Sequence, residues 1–392
     1  MSVLLFILGI ILFISLVVIH EWGHFIMARR NGVVAEEFGI FFPPRLWKKR
    51  IKSKKGDFNF TINLLPLGGF VKLKGEHDTD TAKGSYGAAS LWAKTKIMAA
   101  GVVMNLIVGV VLLMVVAWVG MPQLVDNQFT VKSDTKITKS EVILSFVEKD
   151  SPAAKAGLKS ADKVTAIQGP NGQIASIKNP NELKAATHRF AGEQVSISYI
   201  RQGVTHSAKT TLLSNQAVAT SLKTDNPKGQ LGVVPSSYTL QRSTWSAPIV
   251  AIGLTGQFTK LTLQGLGHAV AGLGSIIAGA ATGNTHARQN GQTAASEQVS
   301  GPVGIFVILQ DGSLLGYQYM LFIIAIISLT LAIMNILPIP ALDGGRLWLT
   351  LFTRGIKRPL SPRREEIINA TGFALLLGLI ILITVVDVHR FF

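Results

Sequence analysis

His20 and His24 stand four positions apart, with Glu21 directly after the first and Trp22 and Gly23 completing the interval. On a helix this spacing puts both imidazoles on one face, so they can reach one metal ion while the carboxylate stands beside them. Neutral imidazoles bind divalent cations through nitrogen, and a neighbouring carboxylate can accept a proton from a water the metal holds. The chemistry on offer is metal-assisted hydrolysis. Its setting narrows it further, because no charged residue precedes His20 and Val3 to Ile19 is uninterruptedly uncharged. Ionisable groups at membrane depth are costly and mark functional sites by default.

A catalytic zinc needs three protein ligands and one open position. The chain has no cysteine, so every ligand must supply nitrogen or oxygen. The candidate third ligand is Asp343, in Asn335-Ile-Leu-Pro-Ile-Pro-Ala-Leu-Asp-Gly-Gly345. Pro338 and Pro340 cannot continue a regular helix, so the backbone must unwind there and can turn Asp343 toward a metal. His77, His188, His206, His268, His286 and His389 lack metal spacing and read as surface or core residues.

The elements that position these residues follow from composition. Of 392 residues, 48% are hydrophobic and only 15% charged, and the mean hydropathy is +0.38, which describes a membrane protein. Four uncharged stretches predict four transmembrane helices, at about 3–26, 96–119, 317–337 and 367–387. The first has no basic leader and no small-residue cleavage site, so it reads as a retained helix. Lys and Arg collect between the first two spans (Arg29 to Lys55) and between the last two (Arg346 to Arg364), which places both loops in the cytoplasm. Residues 121–316 and both termini then lie outside. His24 and Asp343 fall at the same cytoplasmic end of two different spans. The net charge of +16 is accounted for by this topology and by anionic lipid, and no aromatic-interleaved basic patch points to nucleic acid.

Within 1–120, residues 57–74 alternate around Pro66 and Gly68-Gly69 and predict a cytoplasmic β-hairpin. Gly68, Gly69, Phe70 and Val71 are the candidate substrate-binding segment, an edge strand able to receive an extended peptide. Residues 121–230 predict an inserted α+β domain, with strands at 143–147, 163–167 and 194–200 and helices at 151–157 and 179–186. Residues 231–316 predict a membrane-proximal region. Its apolar part, 247–281, reads as a pair of amphipathic helices, since a fifth span would invert the last helices relative to the basic loops. Residues 282–298 read as a polar loop, and 317–392 as the C-terminal membrane half.

Taken together, His20-Glu-Trp-Gly-His24, the stretch from Asn335 to Gly345, Gly68-Gly-Phe-Val71, Gly301-Pro-Val-Gly-Ile305 and the inserted domain resemble the site-2 protease family. The PDZ-containing bacterial branch, of the RseP type, is the nearest likeness. The inserted domain resembles a PDZ domain through Ser151 to Val164, with Ala161 where glycine is common. Ala99 to Asn105 resembles a further family motif but has Val102 where proline is usual. The resemblance implies that His20, His24 and Asp343 bind Zn2+, that Glu21 is the general base, and that Asn335 holds substrate or the developing oxyanion. It implies intramembrane cleavage of single-pass proteins, such as anti-sigma factors, or of signal-peptide remnants. The rival class is a non-catalytic membrane adaptor whose PDZ domain binds exposed protein termini. A transporter is poorly supported, because no inverted repeat is evident and ionisable residues inside the spans are few.

Overall fold

Among the described residues of the protein, seen in a computed structural model, five helices are long and apolar enough to cross a membrane. They are α1 (Ser2–Arg30), α2 (Leu91–Val119), α6 (Ala247–Thr282), α8 (Tyr317–Ile336) and α10 (Pro362–Phe391). The structure describes residues 2–76, 80–223, 227–286, 290, 301–356 and 361–391. His77 and most of the polar stretch after Thr282 lie outside these. The sequence predicts four spans and a helix pair at 247–281, whereas that segment is one continuous helix of 36 residues. The pair was expected from the parity of crossings relative to the basic loops, a rule that says nothing of where a helix breaks. Locally nothing divides the segment, because its glycines are tolerated inside a helix at a cost too small to break one this long. By composition it is the least apolar of the five.

The chain divides into two compact units. One comprises Phe6–Leu113, Ala251–Gln310 and Ile323–Phe392, and the other Met1–Leu5, Met114–Val250 and Asp311–Phe322.

In the first unit, α1 ends in Arg29 and Arg30, cations that suit a helix C-terminus. Gly32, at φ 77°, turns the chain into β1 (Ala35–Ile51) and then β2 (Phe58–Leu73), which pair antiparallel. Residues 37–40 of β1 have two partners each, from 59–62 on one side and from 69–72 on the other. The hairpin expected from 57–74 alone is therefore part of a larger sheet, in which β2 flanks the start of β1 on both edges. Period-two alternation missed β1 because Pro43-Pro44 and the basic run after it carry no alternating apolar face. Aromatic contacts fasten this sheet to α1. Phe25 meets Phe58 at 4.7 Å and Phe38 at 5.5 Å, and Trp22 meets Phe38 at 5.7 Å. The same core takes in Ile97 and Met98 of α2 and Leu347 of α9 (Asp343–Gly355).

The second unit is built on a sheet with strand order β3-β9-β4-β5-β7-β8 and β6 paired to β5. Its strands are β3 (Met121–Pro122), β4 (Lys136–Val147), β5 (Lys163–Gln168), β6 (Ile174–Ser176), β7 (Gln194–Arg201), β8 (Val204–Thr211) and β9 (Val233–Arg242). Short helices α3 (Pro152–Lys155) and α4 (Pro180–Arg189) start at Ser151 and Asn179, whose side chains accept from Ala154 and Glu182 amides. Leu144, Ile167, Leu183 and Ile197 lie in the resulting core. One boundary moves. Residues 233–242, expected in the membrane-proximal region, form β9 and pair along β4. Their side chains are only partly alternating, so partnership and not local pattern makes them a strand.

Two details of this unit carry consequences. Ala161 sits at φ 67°, a left-handed conformation that costs an L-residue about 1–2 kcal/mol, and its amide donates to Leu144 O at 2.8 Å. Glycine there would relieve the strain. Ala161→Gly is therefore expected to stabilise the domain by about 1 kcal/mol, read as roughly fivefold slower hydrogen exchange at the residue 161 amide in the full chain. Asp134 accepts from the Thr244 amide at 2.7 Å, from the Ser246 amide at 3.0 Å and from the Ser246 hydroxyl at 2.6 Å, just before α6 begins. Desolvation would raise this carboxyl, but hydrogen bonds from Ser246 and Thr244 outweigh it and hold the group well below the usual carboxylate range. The folded value lies under the unfolded value of about 4, so the contribution is present above about pH 4 and fades as pH falls below it. Protection of the Thr244 and Ser246 amides, measured as exchange relative to the intrinsic rate at the same pH, is expected to decline progressively as pH falls below about 4, and to be lower in Asp134→Ala at neutral pH.

Candidate metal centre

Three ligand atoms converge in the first unit. Asp343 Oδ2 lies 2.9 Å from His20 Nε2 and 2.9 Å from His24 Nε2, and the two imidazole nitrogens are 3.2 Å apart. Among the described residues, this is the one group of three His, Cys, Asp or Glu side chains arranged to hold a metal ion. Both histidines are buried and Asp343 is part-buried.

Each side chain is delivered by a different local device. His20 and His24 share one face of α1 because the helix is regular there. Asp343 is the first residue of α9, reached after α8 stops at Ile336. Pro338 and Pro340 end the helical ladder, Ala341 takes φ 76°, and the chain then folds back on itself. Glycine is required at the fold-back. A Cβ on Gly344 would stand 2.5 Å from the Ile336 carbonyl carbon, and one on Gly345 would stand 2.6 Å from that of Ile339. Trp348 Nε1 donates to Ile336 O at 3.0 Å, closing the open end of α8. Arg346 anchors the start of α9 by donating to Glu76 O, pairing with the Glu76 carboxylate at 3.6 Å and covering the Tyr86 ring at 4.8 Å.

The fourth wall is α2, which sequence reasoning did not include. Ile97, Gly101 and Asn105 occupy successive turns of one face. His24 Nδ1 donates to Ile97 O at 2.7 Å, and Asn105 touches His20 Nδ1 at 3.2 Å. Gly101 lies directly against the ligand atoms. A Cβ there would stand 2.6 Å from His20 Nε2 and would press on His24 Nε2 as well. Across the same interface, a Cβ on Gly23 would stand 2.7 Å from Ala100 O. The signal was in Ala99 to Asn105, whose four-residue spacing from Gly101 to Asn105 repeats that of the histidines. With Val102 in place of the proline usual in the related motif, α2 runs unbroken through this stretch.

The donor set fits a zinc ion. Ligand atoms about 2.0–2.1 Å from one tetrahedral centre stand about 3.3 Å apart, and the three atoms here are within a few tenths of an ångström of that. The protonation pattern agrees. Ile97 O can only accept, so a neutral His24 carries its proton on Nδ1 and turns its Nε2 lone pair toward the Asp343 carboxylate. Two electron-pair donors 2.9 Å apart call for a cation between them.

The other predicted residues lie on α1, β2 and α8. Glu21 is half-buried on α1 next to Gly69, whose Cβ, if it had one, would stand 3.1 Å from Glu21 Cγ. Gly69 pairs with Ile40 and Val71 with Phe38, so residues 69–73 follow one edge of β1. Among the described residues no strand pairs with their outer edge. Gly68 takes φ 155° at the bend, and the Phe70 ring stacks on Phe42 at 6.2 Å. Asn335 lies in the last turn of α8, part-buried, eight residues before Asp343.

Two imidazoles and a carboxylate gathered among apolar helices, with a second carboxylate beside them, are the donor set a metalloprotease within a membrane protein calls for. The model of Peptidase family M50 matches residues 8–379, and the chain belongs to that family, the site-2 proteases. Zinc metalloprotease RasP of Shouchella clausii is 25% identical over 465 aligned positions, covering 98% of each chain. Regulator of sigma-W protease RasP of Bacillus subtilis is 24% identical, again over 98% of each. The protein is accordingly a zinc-dependent metalloendopeptidase. Gly101→Ala, which puts a methyl group where the ligands converge, is expected to lose stoichiometric zinc. Metal analysis of the purified full chain checks this.

Proposed function

We propose that the protein cleaves peptide bonds within transmembrane segments, with single-pass anti-sigma-factor-like proteins or signal-peptide remnants as substrates. The observation that carries this reading is the convergence of His20, His24 and Asp343 beside an unpaired strand edge, between helices long enough to span a membrane. A transmembrane helix hides its amides in its own hydrogen bonds, so attack requires a locally extended substrate. The outer edge of 69–73 offers backbone partners for such a strand, with Gly69 leaving room next to Glu21. The sigma-W regulator relative supports the substrate class.

His20, His24 and Asp343 would hold zinc, which when bound lowers the pKa of a water and polarises a carbonyl. Glu21, beside them, would act as the general base, holding the proton of an attacking water and giving it to the leaving amine. Asn335 steadies the substrate backbone. The inserted α+β domain acts as a PDZ-like filter that favours substrates already trimmed outside the membrane.

For topology we propose four crossings, with the metal centre near the cytoplasmic face and residues 121–316 and both termini outside. Ser243, just before α6, donates to Ala117 O in the last turns of α2, the end away from Ile97. The Gly301 amide donates to Asp387 near the end of α10. Shortly beyond, Phe306 of α7 (Pro302–Leu315) meets Phe6 near the start of α1 at 5.1 Å. Those ends of α1 and α10 are the ones away from His20 and from the Pro340–Gly372 contact. The basic loops after α1 and α8 support this orientation, and α6, the least apolar of the candidate helices, is left out of the count.

Glu21→Gln keeps the shape of the site and removes the base. It is expected to abolish cleavage of a single-pass substrate, by at least a hundredfold in rate, while the protein retains one zinc. Cleavage unchanged by this substitution would refute the assignment, and a wild-type protein free of zinc would favour the adaptor.

A further inference from the structure

Asn105 is 1% exposed on α2, and its carboxamide meets His20 at Nδ1, the ring nitrogen turned away from Asp343. The carboxamide nitrogen faces the ring, and Oδ1 has no hydrogen-bond partner among the described residues. The two ends of a carboxamide have the same shape, so a half turn about the Cβ–Cγ bond exchanges them without moving any other group. The chemistry of His20 is not indifferent to the exchange. With the nitrogen toward the ring, Nδ1 must accept, the single ring proton sits on Nε2, and Nε2 is closed to a metal. With the oxygen toward the ring, Nδ1–H donates and the Nε2 lone pair faces His24 and Asp343.

We infer that Asn105 is a positioning residue, whose carboxamide oxygen accepts from His20 Nδ1–H and thereby fixes the tautomer and ring plane in which His20 binds zinc. The inference rests on the zinc reading above. His24 shows the same device, since its Nδ1 donates to Ile97 O at 2.7 Å. Both rings are thus backed by acceptors from one face of α2, two turns apart, with Gly101 leaving space between them for the ligand atoms. Asn105 is itself held in register, because its backbone carbonyl accepts from the buried Ser328 hydroxyl of α8 at 2.7 Å. A neutral amide supports an imidazole without adding charge to an apolar interior, where an extra carboxylate would need its own partner.

The test uses the purified full-length protein. Zinc affinity is measured by competition with a chelator for wild type, Asn105→Leu and Asn105→Asp, and the ring nitrogens of His20 are followed by 15N NMR in zinc-loaded wild type labelled at histidine. Asn105→Leu, similar in size but without an acceptor, is expected to weaken zinc binding 10–100-fold. Asn105→Asp, which restores the acceptor, is expected to recover affinity to within a few fold, and the His20 Nδ1 signal is expected to be that of a protonated nitrogen. Wild-type zinc affinity in Asn105→Leu, or an unprotonated Nδ1, would overturn the inference while leaving the zinc site standing. Absence of zinc from the wild type would overturn both. The NMR measurement needs no variant, so it decides the matter even if Asn105→Leu does not fold.

Discussion

The near-contact of α1 and α2 is the constraint on which the centre depends. Helices in an apolar medium gain little from burying more apolar surface against each other, so close packing of small residues holds them together. Gly23 admits the Ala100 carbonyl and Gly101 admits the imidazoles, so the two backbones meet where the ligand atoms must gather. The same approach brings Ile97 O and Asn105 behind the rings. A larger residue at Gly101 would occupy the space of the ligands themselves, so packing and chemistry are not separable at this position.

Asp343, the third candidate ligand, arrives by an opposite strategy. His20 and His24 exploit a regular helix, whereas Asp343 depends on one that is broken. Two prolines stop α8, two glycines let the chain fold back against its own carbonyls, and Arg346 and Trp348 fix the start of α9. Broken backbone at membrane depth is sustainable only where other groups take up the freed donors and acceptors. Here the Trp348 indole and the tight turn at 337–342 do so. The edge of β2 completes the arrangement by bringing Gly69 next to Glu21, with no strand paired to the outer side of 69–73 among the described residues.

Much of this was legible beforehand. The helical spacing of His20 and His24, the proline-broken run ending in Asp343 and the four most apolar helices all follow from local rules of periodicity and hydropathy. The capped starts of α3 and α4 were equally plain, because Ser151 and Asn179 act on amides within their own first turn. What escaped was partnership. β1 carries prolines and a basic run, and β9 alternates only in part, so each becomes a strand through its neighbour. The continuity of α6 escaped because the expectation of a helix pair came from the parity of crossings, which does not report where a helix breaks.

The sequence by itself determined the kind of chemistry, two imidazoles and two carboxylates in an apolar chain without cysteine, since residue type and short spacing fix which groups can share a face. Only the tertiary structure decided that Asp343 reaches the histidines and that Gly101 and Asn105 line the same point. It also decided that the edge of 69–73 passes Glu21. Those contacts join residues as many as 323 positions apart. No local rule reports such distances, because they are set by how closely helices pack and where one of them is made to stop.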